Sequence, residues 1–125
     1  MKKTIKTEKA AAAIGPYSQA VISGAYLFTA GQIGLMPKTG SMATGGIQAE
    51  TVQVLENLKA ILNEAGKDLT AVLKTTVYLT KPEDFPPVNE IYGQYFKDQP
   101  PARTTVFVSA LPKGALVEIE AVAGL

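Results

Sequence analysis

Arg103 is the single arginine among twelve Lys and Arg residues, and no histidine or cysteine occurs anywhere in the chain. It stands in Pro100-Pro101-Ala102-Arg103-Thr104-Thr105-Val106, beside a rigid dipeptide at the mouth of a β-branched run. A guanidinium is a planar fork of donors that matches a carboxylate bidentately, whereas a lysine ammonium is a point charge. Two uses are open in this context: an exposed cation of little energetic weight, or an anchor for an anionic ligand. The composition removes much other chemistry. Without cysteine there is no disulfide, thiolate nucleophile or zinc ribbon. Without histidine there is no Ser-His pair, no HExxH site and little scope for a transition-metal site.

The elements that must position this arginine can be read from spacing. A chain of 125 residues, 46% apolar and 18% charged, reads as a single domain over 1–125, long enough to bury a core. A net charge of +1, with Lys2, Lys3, Lys6 and Lys9 interrupted by Thr, Ile and Glu, gives no reason to expect nucleic acid. Met1 to Lys6 lead into no apolar signal core, and no apolar run approaches the roughly 20 residues of a membrane span. The cytoplasm is the expected location, and the positive mean hydropathy points to apolar surface buried against another subunit.

Short strands are expected at Thr4–Thr7, Ser18–Ile22 and Tyr26–Ala30, the last two joined by Ser23-Gly24-Ala25 as a hairpin. The glycine-rich stretch 31–46 reads as a loop. Ile47, Val54, Leu55, Leu58, Ile61, Leu62 and Ala65 share one helical stripe, and Gly66 sits where a helix-terminating glycine belongs. Leu69–Thr80 reads as a strand. Pro82-Glu83-Asp84 opens a second helix with stripe Phe85, Val88, Ile91, Tyr92 and Tyr95. Strands at Arg103–Val108 and Leu116–Val122 follow. The order implies an α+β fold, with both helices on one face of a single mixed sheet.

Alternation then assigns faces. In Val117-Glu118-Ile119-Glu120-Ala121 the apolar residues face the helices and both glutamates face away. Thr104, Val106 and Val108 suit the helix side, which sends Arg103, Thr105 and Phe107 to the outer face with the glutamates. In the central strand Leu73, Thr75, Val77 and Leu79 oppose Val72, Lys74, Thr76 and Tyr78, so both faces carry apolar area and a second cover is needed. A symmetric homo-oligomer packed through the open sheet face supplies it, with an isolated monomer the competing reading. An Arg–Glu pair near such an interface serves equally as an interfacial salt bridge or as a substrate anchor beside an acid–base group.

Gly15-Pro16-Tyr17-Ser18-Gln19-Ala20, Gly31-Gln32-Ile33, Asn57, Ala65-Gly66, Asn89 with Tyr92 and Tyr95-Phe96, Pro101-Ala102-Arg103-Thr104-Thr105-Val106, and Leu111-Pro112 with Val117-Glu118-Ile119-Glu120 follow one another in order. This set resembles the reactive-intermediate deaminase family, also called RidA or YjgF-like proteins, nearly end to end. The resemblance implies a chorismate-mutase-like fold and a closed homotrimer with sites between subunits. It also implies cofactor-free, metal-free hydrolysis of enamine and imine acids such as 2-aminoacrylate to 2-oxo acids and ammonia. Carried over by position, Arg103 binds the substrate carboxylate and Glu120 positions or activates water. Tyr17 lines the pocket, the backbone at Gly31 and Thr105 contacts the ligand, and Asn89 contributes near the rim. Ala30 stands where many members carry serine, and Thr105 where others carry cysteine. Glu118 is read as a structural partner, and Asn57 as a helix-surface or loop-bracing residue.

Such chemistry suits a chain without histidine, because a protonated C=N carbon is already electrophilic. The enzyme need only orient the substrate, supply water and move protons. Two other functions compete: a non-catalytic regulator that binds 2-oxo acids, and a ribonuclease or translation inhibitor. The near-neutral charge and the lack of an aromatic-basic patch argue against the second.

Overall fold

The apolar residues recurring every three or four positions from Val54 to Leu62 form the buried face of helix α1, Gly46–Glu64, in a computed structural model that describes residues 1–125. Val54, Leu55, Leu58, Ile61 and Leu62 are completely buried. The helix stops at Gly66, whose φ of 77° favours glycine, and Lys67 N–H closes the end on the Leu62 carbonyl at 2.9 Å. Helix α2, Phe85–Tyr95, follows a separate 3-10 turn at Pro82–Asp84. Pro86 and Pro87 lie in its first turn, where a missing N–H costs nothing.

Six strands make one mixed sheet: β1 Lys2–Ile5, β2 Ala20–Ser23, β3 Tyr26–Thr29, β4 Val72–Leu79, β5 Ala102–Phe107 and β6 Val117–Gly124. Their order is β1-β2-β3-β6-β4-β5; β4 and β5 pair in parallel and every other neighbouring pair is antiparallel. A single core joins the two helices to one face of this sheet, through Val77 and Leu79 of β4 and Val117, Ile119 and Ala121 of β6. The α+β architecture read from the sequence is therefore found. Boundaries differ by up to three residues in several places, the second helix starting at Phe85 rather than Pro82 and the last strand running on to Gly124. The first strand lies two residues earlier than expected, and Leu69–Ala71 forms a 3-10 turn before β4 begins.

The faces differ more. A β-bulge between Val72 and Lys74 resets the alternation of β4, so Val72 turns inward and Leu73, half exposed, turns outward. Leu73 does not share a face with Thr75, Val77 and Leu79. On β5 the expected assignment is reversed. The register pairs Arg103 with Thr75, Thr105 with Val77 and Phe107 with Leu79, all on the helix side. Thr104 and Val106 instead share the open face with Glu118 and Glu120 of β6, through Thr76 and Tyr78. The cause is that β5 is an edge strand. Its side chains are largely exposed on both faces, so their polarity carries no record of which face is which.

The open face carries Tyr26, Phe28, Leu73 and Val106, each exposed over a third or more of its surface, with no helix over it. On the other side, completely buried Asn57 of α1 reaches out of the helix to brace the long loop. Its Nδ2 donates to the Leu35 carbonyl at 3.0 Å and to the Ile33 carbonyl at 3.4 Å, while its Oδ1 accepts from Gln53. Of the two readings of Asn57, loop-bracing is the one found. Replacing Asn57 by Ala strands two carbonyls, so Asn57→Ala is expected to cost about 2 kcal/mol. At fixed protein concentration this is a fall of roughly 8 °C in the midpoint of thermal unfolding.

Candidate active site

The arginine is held by α2. Arg103 Nη1 donates to Asn89 Oδ1 at 2.7 Å, and the guanidinium lies 4.9 Å from the Tyr92 ring centroid and 5.5 Å from that of Phe85. Cation–π contacts of this kind contribute about 0.5–1 kcal/mol at an exposed site. Tyr92 is fixed in turn by a 2.6 Å bond between its hydroxyl and that of completely buried Thr75. Burial pushes the Tyr92 hydroxyl pKa up, so the ring stays a neutral platform. Of the five donors of a guanidinium one goes to Asn89, and the rest of the fork points to an uncovered edge. Thr105 lies beside it. Val108 N–H bonds the Leu79 carbonyl, so by the two-residue period of a parallel ladder Thr104 and Val106 also bond inward. The amide and carbonyl of Thr105 are thereby left on the free edge, available to a ligand.

Tyr17 and Gly31 belong to a different place. They line a cavity of about 440 Å³ together with Glu118, Ile14, Ile33 and Lys113. Gly31 N–H has no partner within the chain. A side chain at Gly31 would overlap Glu118, with a Cβ 2.8 Å from its Cδ, so glycine is what lets the carboxylate and the loop backbone meet. Reciprocal bonds between Gln32 and Ile119, at 2.8 and 3.0 Å, lock this loop to β6. The Tyr17 hydroxyl accepts from Ile14 N–H at 3.3 Å.

Glu118 is half-buried here. Burial first, and the neighbouring Glu120 carboxylate second, push its pKa above the usual carboxylate value. Glu120, two residues on, instead accepts from the Tyr78 hydroxyl at 3.1 Å and borders a shallow hollow with Lys74 and Thr76. The sequence-expected residues therefore fall into separate groups. Arg103, Asn89 and Thr105 stand at the β5 edge on the helix side. Tyr17 and Gly31 line the cavity on the other face, and Glu120 is beside it. Arg103 and Glu120 do not share a face within one chain. The sequence reading made Glu118 a structural partner and missed its place in the cavity wall. The approach of Gly31 to Glu118, and the Tyr78 bond to Glu120, distinguish the two.

Comparison with known proteins decides the ancestry. The family model described as Endoribonuclease L-PSP matches residues 7–125. The chain belongs to this family, the RidA/YjgF proteins. It is 54% identical to a RutC family protein of Pyrococcus horikoshii over 98% of both chains. It is 51% identical to human 2-iminobutanoate/2-iminopropanoate deaminase, over 98% of this chain and 90% of that protein. RidA from an Antarctic Psychrobacter superposes with a TM-score of 0.95 at 44% identity, covering 98% of this chain and 99% of that one. Escherichia coli TdcF, solved with bound serine, gives 0.94 at 41% over 98% of each. No helix of this RidA/YjgF chain is long and apolar enough to cross a membrane.

The raised pKa of Glu118 has a stability consequence with a definite sign. An acid whose folded pKa lies above its unfolded value binds more protons when folded, so stability falls as pH rises from the unfolded pKa through the folded one. Glu118→Gln removes the buried charge and keeps the shape. Its thermal midpoint is expected to exceed that of the wild type at pH 7, and the gap to close below pH 4, the range in which Glu118 is protonated in both states.

Proposed function

We propose that the chain is a cofactor-free imine deaminase that hydrolyses 2-imino and 2-enamine acids, 2-aminoacrylate among them, to 2-oxo acids and ammonia. The assembly is a closed homotrimer with three sites between subunits. The observation that carries this reading is the separation of two complementary half-sites. A carboxylate-binding half, Arg103 with Asn89 and the free backbone of Thr105, stands on one side of the sheet. An acid–base half, Glu118 with Tyr17 and Gly31, stands on the other. A neighbouring copy covering the open face, with its β5 edge against this cavity, brings the two together. The apolar residues left uncovered on that face favour such a neighbour.

The named activity of the human relative, and the serine bound to the Escherichia coli one, support a small amino-acid-derived substrate. Arg103 holds the carboxylate bidentately, with Asn89 and the Tyr92 ring fixing the plane of the fork. We assign the water to Glu118 rather than to Glu120, because Glu118 lines the cavity and is half-buried, whereas Glu120 is engaged by Tyr78. Water attacks the carbon of the protonated imine, the C=N pair moves to nitrogen to leave an amine, and one water proton passes to the Glu118 carboxylate. The carbinolamine then collapses: the C–N bond breaks, nitrogen takes the proton from Glu118 and leaves as ammonia, and the hydroxyl proton returns to the Glu118 carboxylate as the C=O of the 2-oxo acid forms. A carboxyl with a raised pKa suits both directions of transfer. Glu120, one alternation away on the same face, helps keep that pKa high.

Semicarbazide trapping of the imine released by an amino-acid oxidase or a serine dehydratase tests this. Wild-type protein is expected to lower the semicarbazone yield by clearing the imine first. Arg103→Lys keeps the charge and removes the fork, so kcat/KM is expected to fall about 100-fold. Glu118→Gln should cost about 10²–10⁴-fold, mostly in kcat. Binding of a 2-oxo acid with no acceleration of imine loss by the wild type would instead identify a regulator.

A further inference from the structure

We propose that Gln19 is a positioning residue for the reaction: its side chain clamps the segment 7–14 across the molecule, and that strap closes the cavity in which Glu118 works. The inference rests on the deaminase reading and names how that site is kept closed. Gln19 itself borders that cavity, and its part in this scheme is to hold the strap. It is 97% buried (3% exposed), and its amide makes three bonds to backbone. Oε1 accepts from Thr7 N–H at 2.7 Å, and Nε2 donates to the Thr7 carbonyl at 3.1 Å and the Ala11 carbonyl at 2.8 Å. A side-chain amide is neutral and can both accept and donate in this way.

Apart from the packing of Ala10 into the core, the strap has few other ties. Between Thr7 and Ile14 it forms no helix or strand. Its other side-chain bonds are a local one from Lys9 N–H to the Thr7 hydroxyl and the long one from Ile14 N–H to Tyr17. Ala11, Ala12 and Ile14 nevertheless form one wall of the cavity, facing Gly31 and Glu118. The backbone of Gln19 completes the link, because its carbonyl accepts from Ala30 N–H at 2.8 Å, one residue before Gly31. Strap, Gln19, the 30–32 loop and β6 are thus joined in series, and Gln19 is the member that reaches both sides. Glu118 is faced by Tyr17 from the strap side, Lys113 from the turn before β6, Tyr78 from β4 and Glu120 from its own strand. Of these only Tyr17 depends on the strap. Releasing the strap admits water to Glu118 without changing its charged neighbours.

The test compares Gln19→Ala and Gln19→Met, the latter keeping volume while removing all three bonds. Amide hydrogen exchange over residues 7–14 should rise at least about tenfold in both. The Glu118 carboxyl, followed by its carbon-13 shift, should titrate at lower pH than in wild type, and KM should rise about tenfold with a smaller change in kcat. Thr7→Pro, which removes the Thr7 N–H donor to Gln19 and the Thr7 hydroxyl that accepts from Lys9, but leaves the other two Gln19 bonds in place, should shift the same quantities less, and serves should the Gln19 variants fail to fold. Unchanged exchange would overturn the clamp. Faster exchange with an unmoved Glu118 titration and KM would make Gln19 a brace with no part in the reaction. A wild type that clears no imine would sink the deaminase reading, while exchange and carboxyl titration would still judge the strap.

Discussion

The parallel register of β4 and β5, which sets Arg103 opposite Thr75, is the constraint from which the rest of the site follows. Thr75 is completely buried and bonded to Tyr92, so a residue paired with it must project toward α2. There the guanidinium finds an aromatic platform and an amide acceptor. The same register turns Thr104 and Val106 to the open face and leaves Thr105 backbone groups on the free edge. One residue of slip would exchange these roles throughout the strand. It would place the arginine beside the glutamates of its own chain, where an internal ion pair would consume both partners. As built, Arg103 and the two glutamates stay unpaired with each other within one chain.

The carboxylate side obeys a different economy. Glu118 and Glu120 share one face of β6, yet one sits half-buried against Gly31 and the other is engaged by Tyr78 of β4. Two like charges on one strand face raise the cost of ionising the more buried of them. The burial itself depends on parts distant in sequence: the 30–32 loop, bonded to Ile119, and the strap tied by Gln19. This is why an alanine-rich segment with no helix or strand, residues 7–14, lies over the Glu118 cavity.

Much of this fold could be read from the chain. The α1 stripe, the terminating Gly66, the second helix and the alternation of Val117 to Ala121 are each set by local spacing, and each is found, the second helix starting three residues later than expected. The faces of β4 and β5 were not legible, for two physical reasons. A bulge at Val72–Lys74 breaks the period of two, and its cause is tertiary. An edge strand is exposed on both sides, so Thr and Val at alternate positions do not record which side meets the helices. Among site residues, Arg103, Asn89, Tyr17, Gly31 and Thr105 were singled out by motif, and each stands at a cavity or a free edge. Choosing between the glutamates needed the contact with Gly31, which separation by 87 positions hides from any local pattern.

The central claim is that one chain supplies the anchor and another the acid–base group. Subunit mixing tests it directly. Arg103→Ala and Glu118→Gln proteins, each inactive alone, are dissociated together, reassembled at equal ratio and assayed for imine clearance. If each site takes its arginine from one subunit and its glutamate from the next, random reassembly restores about one quarter of wild-type activity. Activity that stays at the level of the separate variants, with exchange of subunits confirmed by mass, would contradict the account and return both residues to a single chain.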